Sequence, residues 1–318
     1  MRRIAVAVLM LITVGAHSAE ITDATGRTIT VPDRIARVVP AGPGASLLLL
    51  AIAPEKMAGF PFPVSPERRA WISESAAALP QVPRVTGRED VSGKLREMGA
   101  DLIIDYGAIT PRYIELAKAT QERTGIPTLL IDVALEKTPQ TIRQLGGLLG
   151  NEARAETQAR FAESLLAITK TTERRVVFAR GIDGLNLPAR NTDLTHVFDL
   201  LGWKHVGPDA GGTVTLAEIT ALDPDVIVFG HAHMREVIAA SPEWRALRAV
   251  REGRGLIAPS MPWPWFDEPP SVNRLLGLAW LAGRDPLATA EEFHATFYGH
   301  ALSPAQHEAL AEAVKPAR

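Results

Sequence analysis

Five short apolar runs, each followed or preceded by a helical stretch, set the architecture of this chain. They lie within Asp101–Asp105, Thr128–Asp132, Arg175–Ala179, Asp225–Phe229 and Gly255–Ala258. Runs this continuous do not suit strands with one wet face; they suit strands covered on both sides, and helices alternating with them imply parallel sheets. The intervening helices are expected over Arg112–Thr124, Thr195–Leu201 and Trp244–Val250, with a short one over Val91–Met98. Ahead of them, Ile21–Val31 reads as a β-hairpin turning at Thr25-Gly26. Arg37-Val-Val-Pro40 is a short strand that ends in the turn Ala41–Gly44 and leads into a helix through Leu47–Leu50.

A repeat points to two similar lobes. Asp90–Ile104 parallels Val214–Val228: Leu95 and Met98, like Ile219 and Leu222, stand three apart before an aspartate (Asp101, Asp225) that opens a strand. Between the lobes, Lys137–Gly150 forms one helix weakened by Gly146 and Gly147. Asn151 then caps a second, running to about Glu173 with Phe161, Leu165, Leu166 and Ile168 as its apolar stripe. Some 20 residues of helix span roughly 30 Å. The expected organisation is a leader over 1–18, an N-terminal lobe over 19–150, a linking helix over 151–173 and a C-terminal lobe over 174–318. The fold class is α/β: two lobes, each a mostly parallel sheet flanked by helices, joined by one long backbone helix. One stiff rod allows only modest closure around a ligand.

Arg2 and Arg3, the apolar run Ile4–Val14 and the small residues up to Ala19 describe a cleaved signal peptide, with cleavage after Ser18 fitting slightly better than after Ala19. The absence of cysteine excludes a lipid-anchored N-terminal cysteine and any disulfide framework. An exported, unanchored, periplasmic protein is expected. The formal charge is −2, falling to about −4 without Arg2 and Arg3, so nothing suggests a nucleic-acid or anionic-membrane partner.

The stretch Ile257–Ala282 packs Pro262, Trp263, Pro264, Trp265, Phe266, Pro269 and Pro270 into one loop before a helix beginning near Ser271. Prolines stiffen a loop, and stiff aromatic loops recognise flat or bulky ligands at low entropic cost. The other reading is that these rings cap a core. His231 and His233, two apart after a strand, are candidate metal ligands through neutral nitrogens, with no third ligand evident by spacing.

Taken in order, these segments resemble the periplasmic solute-binding proteins of ABC importers, in the helical-backbone class that handles ferric siderophores, haem, cobalamin and other metal chelates. The resemblance rests on Asp23–Pro32, Arg37–Val39, Ala100–Ile104, Phe198–Gly202, Asp223–Ile227, Trp244–Arg254 and Trp265–Leu281. It implies a monomer that holds an iron-siderophore or similar chelate in the inter-lobe cleft and delivers it to an inner-membrane permease. It implies no catalysis and no cofactor of its own, metal entering only with the chelate. Ligand contacts are then expected on loops after the strands: Phe62, Arg88, Tyr106, Arg180, His231, Trp263, Trp265 and Phe266. Arg88 and Arg180 would pair with anionic oxygens of the chelate. Relatives expose a glutamate on each lobe for permease docking; the matching positions here are Gly93 and Ala217, leaving Glu218 and Glu89 or Asp90 as neighbouring acids. Two other classes stay open: an exported α/β hydrolase, against which stands the lack of a Gly-X-Ser-X-Gly elbow, and a module contacting a protein partner through the tryptophan loop.

Overall fold

In the computed structural model, which describes residues 18–86, 89–168 and 172–314, the apolar runs form two parallel sheets. The N-terminal hairpin comes first: β1 (Ser18–Thr22) pairs antiparallel with β2 (Thr28–Pro32), with Ile21 opposite Ile29. Asp23 builds its turn by accepting from the Thr25 amide at 2.9 Å and from the Arg27 guanidinium. The first sheet has the order β3 (Val38–Pro40), β4 (Leu102–Gly107), β5 (Thr128–Asp132), all parallel. The remaining strands are β6 (Arg175–Ala179), β7 (Asn186–Leu187), β8 (Lys204–His205), β9 (Gly212–Thr213), β10 (Val226–Phe229) and β11 (Gly255–Ile257). Of these, β11-β10-β6-β8 form the second parallel sheet and β7-β9 a small antiparallel pair. The chain leaves β6 for β8 on one side and returns to β10 on the other, so the crevice beyond the carboxyl ends of β6 and β10 is a topological switch point.

The repeated aspartates do the same work in both lobes. Asp101 accepts from the amides of Ala36 and Arg37 at 2.7 and 2.8 Å, just before β3. Asp225 accepts from the Arg175 amide at 2.9 Å, at the start of β6. Each carboxylate satisfies backbone donors that the neighbouring strand leaves over at its entry.

Strand alternation sends the two faces of each sheet to different cores. Val38, Leu102, Ile104, Leu129 and Ile131 from the first sheet share one apolar cluster with Val176, Phe178, Val226 and Val228 from the second. The outer faces feed separate clusters, Val39 and Ile103 with Val82 and Leu95, and Val177 and Phe229 with Trp244. The continuous apolar runs are therefore covered on both sides, and the lobes meet across a common core.

The linking helix is shorter than expected: Glu152–Leu166, 15 residues, about 22 Å. It stops ahead of the β-branched run Ile168, Thr169, Thr171 and Thr172, residues that lose side-chain freedom in a helix. Buried Gln158 on this helix donates to Ala51 O at 2.7 Å and to Thr296 O at 3.2 Å, fixing it against both neighbours. The helix expected over Trp244–Val250 breaks at Leu247 into Pro242–Ala246 and Arg248–Arg251. Among the described residues no helix is long and apolar enough to cross a membrane. The expected leader falls outside them except for Ser18, which sits opposite Pro32 in the hairpin.

Candidate functional site

The carboxyl ends of β3 and β4 open into a pocket of about 470 Å³, bounded by Gly42–Ala45, Arg84, Thr86, Asp105, Tyr106, Arg112, Tyr113, Leu116 and Pro269-Pro270. Both lobes contribute, because the loop after β11 crosses to the N-terminal lobe. Ser271 Oγ donates to Gly44 O at 2.9 Å, and a side chain at position 44 would stand 2.8 Å from Pro270 O and 3.2 Å from the Tyr106 ring. Glycine at 44 is what permits this approach.

The far wall of the pocket is the first turn of the helix Pro111–Thr124, where Thr110 caps the Tyr113 amide and Pro111 occupies the first helical position. This places Arg112 and Tyr113 at the mouth. Arg84 lies opposite, its Nε 3.3 Å from Thr86 Oγ1. Neither Arg84 nor Arg112 has a carboxylate partner among the described residues. Tyr106 is half-buried, and burial pushes its pKa up to about 12, so it presents a neutral phenol.

On the C-terminal lobe the matching recess, between Phe178, Arg180, Gly181, Gly230, His231, Asp267 and Glu268, holds only about 10 Å³, room for one water at most. A wider depression of about 810 Å³ runs along the outer flank past Gln81, Glu89, Lys94 and Met98. It lies away from the strand ends and shares only Arg84 with the cleft, so the smaller pocket is the better candidate.

Several expected site residues stand elsewhere. Trp263, Trp265 and Phe266 do not wall the cleft: they are 1, 1 and 2 % exposed and belong to the shared core. Trp263 lies under Phe62, with ring centroids 6.2 Å apart, and under the Arg68 guanidinium at 4.9 Å. Phe266 packs on Phe178 and Phe198 at 5.8 and 6.2 Å, and Trp265 on Trp280 at 6.4 Å. The physical reason is area: each ring hides about 150–250 Å² of apolar surface, and the seam between two lobes is where that burial is available. Phe62, half-buried, is thus a lid over Trp263 rather than a free contact.

Arg180 borders the small recess, but its charge is taken. Nε and Nη2 reach Asp267 at 2.6 and 2.5 Å and Nη1 reaches Asn186 at 3.0 Å. Nor do His231 and His233 converge as metal ligands. His231 Nδ1 accepts from the His233 amide at 3.2 Å, which leaves the proton of a neutral ring on Nε2, while His233 Nδ1 faces Glu236 at 2.9 Å. Arg88 lies outside the described residues. Of the expected contacts among the described residues, only Tyr106 lines the 470 Å³ pocket.

Sequence reasoning missed Arg84, Asp105, Arg112 and Tyr113. The signal for two of them was present: Thr110-Pro111 announces a helix start directly after a strand, which puts the next two residues at the ligand end of the sheet.

Beneath the pocket the lobes are tied by Arg274, which is wholly buried. Its Nη1 donates to Val133 O at 3.1 Å and its Nη2 to Asp193 O, one carbonyl from each lobe, while Nε has no partner among the described residues. Alongside, His196 Nε2 meets Glu136 at 2.8 Å across the same seam.

Solved structures share this arrangement. An ABC transporter solute-binding protein from Sulfurospirillum deleyianum superposes with a TM-score of 0.81 at 22 % identity, over 92 % of this chain and 99 % of that one. A TroA-like periplasmic binding protein from Veillonella parvula gives 0.69 at 20 % identity, covering 89 % and 97 %. A molybdate periplasmic binding protein from Haemophilus influenzae gives 0.67 at 15 %, covering 90 % and 99 %. At these identities the likeness is one of fold. No curated protein matches the chain by sequence. Residues 102–260, half of its length, nevertheless match the periplasmic binding protein family, and the chain belongs to that family.

Proposed function

We propose that this protein is the substrate-binding component of an ABC importer and captures an anionic metal chelate, a ferric siderophore first among them, in the inter-lobe pocket. One observation carries the reading: Arg84 and Arg112 face a two-lobed pocket, and among the described residues neither is paired with a carboxylate. Guanidinium groups left free in a concave site suit carboxylate, catecholate or hydroxamate oxygens, and the tyrosines beside them supply flat contact area. A fold relative that binds molybdate accords with an anionic cargo. The protein performs no chemistry in this scheme. It hands the loaded chelate to a permease in the inner membrane, and the alternative of an exported hydrolase draws no support from the family match.

Docking cannot use the usual glutamates, since Gly93 and Ala217 stand at those positions. The neighbouring acids are partly engaged: Glu218 closes a capping box with Thr215, and Asp90 accepts from the Ser92 amide and hydroxyl. Exposed Glu89 is the freest candidate on the first lobe.

The test is calorimetric titration of the mature protein with ferric catecholate, ferric hydroxamate, haem and cobalamin. Saturable binding of a ferric chelate that weakens with added salt supports the reading. Binding of haem with a Soret shift, or of cobalamin, in place of any ferric chelate would replace it.

A further inference from the structure

We infer that Asp105 sets specificity in this pocket by accepting a hydrogen bond from an N–H or O–H donor on the ligand, whose anionic oxygens face Arg84 and Arg112. The inference rests on the capture reading above and adds a second chemical requirement to it.

The placement follows from the strand. In β4 the side chains of Leu102, Ile104 and Tyr106 go to the shared core, whereas Ile103 goes to the outer cluster. Alternation puts Asp105 on the outer side with Ile103, at the carboxyl end, where it forms part of the pocket wall with Arg84, Thr86 and Leu116. Only 7 % of Asp105 is exposed. Its Oδ1 accepts from the Tyr106 amide at 2.9 Å; among the described residues Oδ2 has no protein donor and no cation pairs with the carboxyl, while Oδ2 stays open to solvent.

Asp23 shows what a buried carboxylate needs when its role is structural. At 5 % exposure it receives the Thr25 amide and hydroxyl, the Arg27 amide and the Arg27 guanidinium. Burial pushes its pKa up, but those hydrogen bonds outweigh burial and hold it below the ordinary value. Asp105 is as deep and has one hydrogen bond, so burial prevails and its pKa is raised. An acceptor with no protein donor and one open side is met by water in the empty protein, and a ligand that displaces that water must supply a donor of its own or lose the bond. The pocket is the open side of Asp105, so the donor that replaces water comes from there. The ligand class is a chelate with an amide N–H, hydroxyl or ammonium beside its anionic oxygens. A bare oxyanion does not meet that requirement.

The test compares the full mature protein with Asp105→Leu and Asp105→Asn by calorimetry. Three probes are used: the ferric complex of a tris-catecholamide, nickel(II)–histidine, and molybdate, which carries no donor at neutral pH. Asp105→Leu should weaken the donor-bearing probe at least tenfold. Asp105→Asn, which keeps an acceptor without charge, should lose less for an amide donor and as much for an ammonium. Both variants should melt at or above the wild-type temperature at pH 7, where a merely structural aspartate would lower it. Equal binding of the ferric catecholamide to all three proteins overturns the inference and leaves the chelate reading standing. Nickel–histidine bound by the wild type and lost in Asp105→Asn, with no ferric chelate bound, keeps the inference and replaces the ferric siderophore as cargo by a metal–amino-acid chelate. Molybdate alone bound, or no probe bound, overturns the inference.

Discussion

Lowering the pH from 7 to 5 should remove about 4 kcal/mol of stability through two imidazoles that the fold buries uncharged. His294 is 1 % exposed, packed against Trp71, Tyr298 and His300 with ring centroids 5.4, 5.0 and 5.9 Å away, and among the described residues neither ring nitrogen has a partner. Burial brings its pKa down to about 3, with His300 adding to the effect. His205, 4 % exposed and stacked on Phe198, is brought down to about 4 by burial and by Arg190. In the unfolded chain each imidazole protonates below about pH 6.5. Between that value and the depressed one the unfolded state holds more protons. The stability these groups allow is therefore full above pH 6.5 and is lost as the pH falls.

From pH 7 to 5 each histidine accounts for about 1.4 protonation units, or about 2 kcal/mol at 1.36 kcal/mol per unit. Asp105, Asp193 and Asp199, whose pKa values burial raises, work in the opposite sense and trim the sum. Urea unfolding followed by tryptophan fluorescence at the two pH values measures the loss. His294→Phe keeps an aromatic ring and removes the titration, so its loss should be about 2 kcal/mol smaller than that of the wild type. At pH 7 the variant should be no less stable, since the polar atoms it removes are unpaired. Identical acid losses in variant and wild type would refute the argument.

Trp265→Ala should lower stability by about 3–5 kcal/mol, read by urea unfolding, while the folded fraction keeps the wild-type affinity, because the ring fills the seam and does not touch the pocket. Gly277→Ala would put a methyl group 2.6 Å from Trp265 O and 2.8 Å from the Phe266 ring, and should destabilise by about 1–3 kcal/mol in the same assay. Arg112→Ala should weaken anionic chelates by about 1.5–3 kcal/mol in calorimetry and flatten the salt dependence of their binding, with an unchanged melting temperature.

The strands were legible because a doubly covered strand has to be apolar throughout, and the five runs obey that rule. The repeat was legible for a related reason: Asp101 and Asp225 serve the same backbone donors in each lobe. The tryptophan loop was misread because chain chemistry alone does not say which side of a stiff loop faces inward. A ring against Phe178 and a ring against a ligand have the same sequence signature. Arg180 misled in the same way, since its partner Asp267 is far away in the chain and near only in the fold. Asp105 was read as the edge of a strand, and its isolation appears only once the neighbours are placed.

The buried loop changes how the lobes can move. Rocking one sheet against the other would shear the core that Val38, Leu102, Phe178 and Val228 share with Trp263 and Phe266. It would also strip Arg274 of Val133 O or Asp193 O, leaving a buried cation and a buried carbonyl unpaired. A ligand shifts such an equilibrium only by binding the two states differently. Under the proposed capture role, the long exposed side chains of Arg84 and Arg112 would close on the ligand, with the lobe angle held. Small-angle scattering curves with and without a saturating ferric chelate should superimpose. A clear contraction on binding would show that the shared core slides and that Arg274 exchanges partners rather than locking the seam.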